Sequence, residues 1–98
     1  MDQQPDPQPV SEADLRTNRI RRLVYQASYT GMKETDLLLG HFAKHHLAAL
    51  SDAELGDFER LLDAGDDRIY AWVMGNADVP VAHDTRIFAL IKDFKSTQ

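Results

Sequence analysis

The chain has 98 residues, a length that supports one domain with a single core and excludes a multi-domain machine. It carries 11 lysines and arginines against 16 aspartates and glutamates, and this formal charge of −5 argues against the basic surface of a nucleic-acid binder. Because it has no cysteine and no apolar run near the roughly 18 residues of a membrane-spanning helix, we expect a soluble cytoplasmic protein without disulfides or thiolate zinc sites.

The first ten residues differ in composition from the rest. Residues 1–10 hold three prolines among glutamines and aspartates, a composition that can neither continue a helix nor bury apolar surface. We therefore expect a disordered tail, too short and too acidic for an organelle transit peptide. A single helical domain is predicted over residues 11–98.

The first predicted helix begins after an N-cap at Ser11 and ends at Tyr29 or Thr30. Gly31 follows, and we expect it to take a positive φ because glycine closes helices in the left-handed region at low cost. The second helix is predicted over residues 32–50. Its expected inner stripe, at helical spacing, is Leu39, Phe42, Ala43, His46, Leu47 and Leu50, widened by Leu37 and Leu38.

A capping box opens the third predicted helix. The Ser51 hydroxyl can accept from a backbone N–H while the Glu54 side chain reaches back, and Gly65 is the expected C-terminal stop. A single tryptophan, Trp72, follows in the next helix. With Tyr70 and Met74 nearby it could anchor a partner, but we expect it in the core.

Two shorter helices complete the pattern. We expect Asp66 or Asp67 to cap the fourth, which ends at Gly75, and His83 or Asp84 to cap the fifth after a proline-containing loop. No segment alternates with a clean strand period. The predicted fold class is therefore all-α, a compact bundle of five short helices.

Charge is unevenly distributed along this plan. Four arginines crowd the first helix, whereas residues 51–67 hold seven acids and one arginine, so we expect two faces of opposite charge. The arginine cluster could contact phosphates, meet an acidic partner surface, or form a plain solvated helix face. It consists of Arg16, Arg19, Arg21 and Arg22.

Patterns that indicate catalysis or metal binding are weak. His41 and His45 lie four residues apart, but no third ligand is marked and no glutamate falls inside the pair as in the zinc-hydrolase pattern, so we interpret them as surface histidines. The serines lack a glycine-flanked elbow, and no glycine-rich loop could cradle a phosphate. We do not expect an enzyme, and we expect neither a metal nor a stably bound cofactor.

The segment over residues 30–36 is the most informative part of the sequence. Gly31 separates two helices, and Glu34 falls in the first turn of the second, where its charge offsets the positive end of the helix dipole and its side chain can cap a free N–H. The residues alone leave open whether this local role is the whole explanation or whether the segment also binds a partner.

An ordered series of short motifs runs from about Arg19 to Phe94. The motifs are Leu23-Val24-Tyr25, Gly31-Met32-Lys33-Glu34, Asp36-Leu37-Leu38-Leu39, Phe42-Ala43-Lys44, His46-Leu47, Leu61-Leu62-Asp63, and Tyr70 with Trp72. In this order they resemble the FAD assembly factor family of succinate dehydrogenase, also called the succinate dehydrogenase assembly factor 2 family, and we expect a bacterial member.

The resemblance implies a small five-helix protein, a monomer when free, that is not an enzyme. It would bind the flavoprotein subunit of succinate dehydrogenase, and in some bacteria that of fumarate reductase, and promote covalent attachment of FAD to a histidine there. FAD would be handled through the partner. The family signature Arg-Gly-x-x-Glu is matched by Gly31 and Glu34, with Asp36 at a commonly acidic position.

The first signature position departs from the family. Thr30 stands where the family has arginine, so a fixed charge with five donors is replaced by one hydroxyl. The predicted partner contacts are Thr30, Gly31, Met32, Lys33, Glu34 and Asp36. The alternative is a nucleic-acid or regulatory binding module of antitoxin type, which would present the arginines of the first helix as one exposed patch.

Overall fold

The computed structural model describes residues 11–97, which form five α-helices and two short 3₁₀ helices. They are α1 (Glu12–Ser28), α2 (Lys33–His46), α3 (Asp52–Asp63), α4 (Asp66–Val73) and α5 (Arg86–Ser96), with 3₁₀ helices at Leu47–Ala49 and Val81–His83. No strand occurs among the described residues, and the predicted all-α class is confirmed. The tail predicted over residues 1–10 lies outside the described residues.

The two serine caps that the sequence predicts are both present. Ser11 accepts a hydrogen bond from the backbone N–H of Asp14 at 3.1 Å. In the capping box of α3, the Ser51 hydroxyl accepts from the N–H of Glu54 at 3.1 Å, and the Glu54 carboxylate accepts from the N–H of Ser51 at 3.0 Å. The hydrogen bond from the Ser51 N–H lowers the pKa of Glu54 the most, and the hydrogen bond from the Arg86 guanidinium lowers it further.

The caps predicted for the last two helices are wrong. Gly65, at φ +100°, is the N-cap of α4, because it supplies a positive φ that an aspartate adopts only with strain. Thr85 is the N-cap of α5, and its hydroxyl accepts from the N–H of Phe88 at 3.3 Å. Val81–His83 form a 3₁₀ turn, so the N-cap of α5 comes later in the chain than expected.

The second helix ends earlier than residue 50. Regular α-helix stops at His46, and the chain tightens into a 3₁₀ turn before Leu50 becomes extended. Beyond this end, the Arg16 guanidinium of α1 donates to the carbonyl of Ala48 at 3.2 Å and to that of Leu50. Carbonyls at a helix end lack partners within the helix, and here an arginine satisfies them.

One hydrophobic core joins all five helices. Its most fully buried large side chains come from each of them: Leu23, Leu39, Phe42, Leu47, Leu55, Phe58, Leu61, Ile69, Ile87 and Ile91. Trp72 is buried as predicted. Leu37 is not part of the inner stripe, since half of its surface is exposed, and Leu38 and His46 are half-buried at its edge.

The first two helices approach each other closely at one glycine. A Cβ on Gly40 would lie 2.6 Å from the Ser28 hydroxyl oxygen and 3.3 Å from the Ser28 Cα. Because a side chain at residue 40 would force the helix backbones apart, this glycine sets the spacing of α1 and α2 and therefore the shape of the turn between them.

Candidate functional site

The turn between α1 and α2, residues 29–32, forms a sharp corner. Gly31 has φ +127°, which confirms the expected positive φ. A Cβ at this position would lie 2.8 Å from a carboxylate oxygen of Asp66, in the first turn of α4. Both the backbone conformation and the close approach of Asp66 therefore require glycine here.

Asp36 closes the corner from the inside. Its Oδ1 accepts from the N–H of Thr30 at 2.5 Å, from the Thr30 hydroxyl, and from the N–H of Gly31 at 3.3 Å. These two amides lie between the helices, so a side chain has to satisfy them. Thr30 and Asp36 are half-buried as a result.

Glu34 does not cap the helix, contrary to the local role expected for it. Met32 is the N-cap of α2, and its side chain accepts no capping hydrogen bond from a backbone N–H of the helix. With this N-cap, the capping-box position falls at the buried Thr35 and not at Glu34. The Glu34 carboxylate is exposed and makes no hydrogen bond or ion pair within residues 11–97. Its charge still complements the helix dipole. No described contact explains a glutamate here.

All six residues predicted to contact a partner lie in or beside the corner: Thr30, Gly31, Met32, Lys33, Glu34 and Asp36. Lys33 and Glu34 are exposed, and Met32 is half-buried, with its sulfur 3.9 Å from the Thr35 hydroxyl. The segment is thus a continuous surface feature, and its role in partner contact stays a prediction.

A groove that the sequence did not predict opens beside Glu34. It has a volume of about 440 Å³ and runs between α2, α4 and the end of α5. Its wall is mostly apolar, with charged groups near the rim: Glu34, Leu37, Leu38, His41, Tyr70, Val73, Met74 and Lys95. Glu34 therefore lies both beside the corner and at the edge of an apolar groove.

Exposed apolar side chains are concentrated around this groove. The rings of Tyr25 and Tyr29 lie 4.8 Å apart, and Tyr29 and Leu37 line a second, smaller hollow that adjoins the groove through Leu37. Four large side chains are exposed here: Tyr25 (66%), Tyr29 (70%), Leu37 (51%) and Met74 (43%). We call these four residues together with Glu34 the corner face.

The arginines of α1 form ion pairs with acids of α3. Arg16 lies 2.8 Å from Asp52, and Arg19 and Arg22 lie 3.3 Å and 4.0 Å from Glu59. The expectation of two oppositely charged faces is wrong, because the basic and acidic segments pack against each other. The contiguous free arginine patch that a nucleic-acid interface needs is not formed by these residues.

The histidine pair has a local role. His41 and His45 are exposed, and the Nδ1 of His45 lies 2.8 Å from the His41 carbonyl oxygen. Within residues 11–97 no group of three or more histidines, aspartates and glutamates is placed to hold a metal ion. The pair is thus placed on the surface, as interpreted from the sequence.

A family model described as "Flavinator of succinate dehydrogenase" matches residues 21–95. The chain belongs to this family. The match covers all five helices apart from the first turns of α1 and the end of α5, and it confirms the resemblance seen in the motifs. It includes the corner, the groove and the corner face.

Curated relatives of the flavinator family carry the name succinate dehydrogenase assembly factor 2, mitochondrial. The protein of Meyerozyma guilliermondii is 47% identical over 66 residues, 67% of this chain and 49% of its own length. The protein of Dictyostelium discoideum is 36% identical over 72 residues, which cover 74% of this chain and 51% of its own length. Factor 2-A of Drosophila erecta is 36% identical over 96 residues, with 91% of this chain and 59% of its own length covered. The chain thus spans about half the length of these relatives.

Among residues 11–97, no helix combines the length and the hydrophobicity that a bilayer span requires. The relatives' names place them in mitochondria, so the cytoplasmic location expected for this chain stays a prediction.

Sequence reasoning missed several residues that shape this surface. Gly40 had a local signal, since an isolated glycine inside a helical pattern often marks close packing. The contributions of Asp66 and Lys95 had none, because each reaches the site from a helix distant in sequence.

Proposed function

We propose that this chain is an assembly factor that binds the flavoprotein subunit of succinate dehydrogenase and promotes covalent attachment of FAD to it. Family membership supports the class of function, and the corner face supports the mode of action. The observation that carries the proposal is Glu34, an exposed carboxylate without a described structural partner, at the edge of an apolar groove.

The extent of the corner face supports a protein partner. A stable interface buries about 800 Å² on each side, which is more than the four-residue turn can provide. The exposed tyrosines, leucine and methionine extend the surface continuously from Glu34, and aromatic residues and methionine are enriched in interfaces. Exposed apolar patches of this kind mark interaction sites on small proteins.

The proposed contribution of the chain is positional. Holding FAD and the acceptor histidine of the flavoprotein in a reactive geometry can lower a barrier by about 7–11 kcal/mol in favourable cases. The chain supplies this effect by binding more tightly to the flavoprotein conformation in which the two groups are aligned. No catalytic group of its own is then required, and FAD is held by the flavoprotein.

The Glu34 carboxylate would accept hydrogen bonds from a donor on the partner, while the groove takes up apolar side chains next to it. A charge-assisted hydrogen bond of this kind is worth about 1.5–3 kcal/mol, which corresponds to roughly a 10- to 100-fold change in affinity. We propose that the chain is a monomer before it binds and that the flavoprotein of fumarate reductase is an additional partner in organisms that carry it.

Reconstitution tests the proposal. Flavoprotein subunit produced without this chain is mixed with FAD and the chain, and covalent flavin is measured as fluorescence of the denatured flavoprotein band. Glu34→Gln is compared with Glu12→Gln, which also removes a carboxylate from the first turn of a helix. We expect the wild-type chain and Glu12→Gln to accelerate flavin attachment equally and Glu34→Gln to need at least a tenfold higher concentration.

Two outcomes would refute the proposal. One is a flavoprotein that acquires covalent flavin at the same rate with and without the chain. The other is an equal effect of Glu34→Gln and Glu12→Gln, because a shared loss of helix-dipole stabilisation would then account for both.

A further inference from the structure

The Thr30 hydroxyl and the Asp36 carboxylate are linked across the corner in a way that partner contact does not explain. Asp36 Oδ1 accepts from the hydroxyl and the N–H of Thr30 and from the N–H of Gly31. Both side chains are half-buried, whereas Glu34, between them in sequence, is exposed. Their polar atoms are therefore directed at each other.

The close approach at Gly40 sets the spacing of the two helices, and these bonds fix the backbone of the turn that joins them. Gly31 has access to more backbone conformations than any other residue, yet it is held at φ +127°. The side chain of Met32, the α2 N-cap, accepts no hydrogen bond from a backbone N–H of the helix. Asp36 thus ties the turn at Thr30 and Gly31 to the first turn of α2, and Glu34 lies in that first turn.

We propose that Thr30 and Asp36 are a positioning pair, which holds the corner in the conformation that presents Glu34 to the partner, and that neither makes the partner contact. This inference rests on the proposed function. It reassigns two of the six predicted contact residues. The hydroxyl at residue 30 acts through Asp36, and the contact itself falls to Glu34 and the rest of the corner face.

A positioning role has a distinct kinetic signature. When only a fraction of the chain has a binding-competent corner, the apparent dissociation constant rises by the reciprocal of that fraction, and the saturated complex is unchanged. Loss of the Thr30 hydroxyl should therefore raise the half-saturating concentration for flavin attachment. The maximal rate should stay at the wild-type value.

The experiment compares Thr30→Val, which keeps the shape of the side chain and removes the hydroxyl, with Thr30→Ser, which keeps the hydroxyl. We expect Thr30→Val to raise the half-saturating concentration about fivefold, as the loss of one hydrogen bond allows. Thr30→Ser should remain within twofold of wild type. Asp36→Asn, which retains an oxygen but loses the charge, should also raise the half-saturating concentration without lowering the maximal rate.

A variant with a similar stability loss elsewhere separates positioning from general destabilisation. Ser51→Ala removes the capping hydroxyl of α3, at a helix end outside the corner. It should lower the melting temperature and leave the half-saturating concentration unchanged. If Ser51→Ala raises that concentration as much as Thr30→Val, the positioning role is refuted.

The outcomes also separate this inference from the proposed function. If Thr30→Val and Asp36→Asn match wild type while Glu34→Gln is impaired, the pair has no positioning role and the proposed function stands. If Thr30→Ser is as impaired as Thr30→Val, the hydroxyl is not the relevant group and the inference fails. If the wild-type chain itself has no effect on flavin attachment, the proposed function fails first.

Discussion

Replacing Gly31 by alanine tests the geometry of the corner. The substitution adds one methyl group at φ +127°, where L-residues are strained, and places it 2.8 Å from a carboxylate oxygen of Asp66. The left-handed region costs an L-residue about 1–2 kcal/mol. Movement of the Asp66 side chain adds to this cost, although the side chain is flexible and can rotate.

A second glycine allows the two effects to be separated. Gly75 also has a positive φ, at +79°, but a Cβ there would meet nothing within 4 Å. Gly75→Ala therefore introduces backbone strain without crowding. We expect Gly31→Ala to lower the free energy of unfolding by about 1–3 kcal/mol, and by more than Gly75→Ala does.

Thermal unfolding followed by circular dichroism measures these differences. For a domain of this size, 1 kcal/mol corresponds to about 4–8 °C in melting temperature. In an Asp66→Ala background the crowding is relieved, so the cost of Gly31→Ala should fall, and what remains is the backbone strain at φ +127°. If Gly31→Ala is no more destabilising than Gly75→Ala, and if its cost is the same with and without Asp66→Ala, the close approach of Asp66 does not contribute to the requirement for glycine at residue 31.

Three further predictions concern packing, pH and the corner face. Gly40→Ala should lower the free energy of unfolding in urea by about 1–2 kcal/mol, since overpacking against Ser28 outweighs the gain in helix propensity; increased stability would contradict this. The Ser51 N–H and the Arg86 guanidinium hold the pKa of Glu54 below its ordinary value, so the contribution of the carboxylate to stability is present at neutral pH and lost as the pH falls through the lowered pKa; the difference in melting temperature between wild type and Glu54→Gln should shrink on acidification, and a constant difference would contradict this. Leu37→Asn should leave stability within about 0.5 kcal/mol but weaken flavoprotein capture in a pull-down, whereas the equally exposed Leu15→Asn should not, and equal capture by both would contradict the role of the corner face.

The features predicted correctly from the sequence depend on residues near one another in the chain. The serine caps and the positive φ of Gly31 follow from side chains within three residues or from glycine's lack of a Cβ. The five helices follow from apolar periodicity, which also placed Trp72 in the core. Local physics was sufficient for these.

The features that were missed depend on contacts between distant residues. Arg16 of α1 satisfies the carbonyls of Ala48 and Leu50, in the segment where the predicted α2 gives way to a 3₁₀ turn. The pairing of α1 arginines with α3 acids cancels the charge separation that composition suggested. Exposure of Leu37 depends on α4 and α5 leaving a groove, which no local pattern indicates.

Deletion of the gene in the organism that encodes this chain tests whether the chain acts in flavin attachment at all. Covalent flavin on the succinate dehydrogenase flavoprotein would be measured by fluorescence of the denatured band, normalised to the amount of that subunit. We expect a strong loss of flavin in the deletion strain, restored by the wild-type gene and not by Glu34→Gln. Normal covalent flavin in the deletion strain would show that the chain is not required for this step.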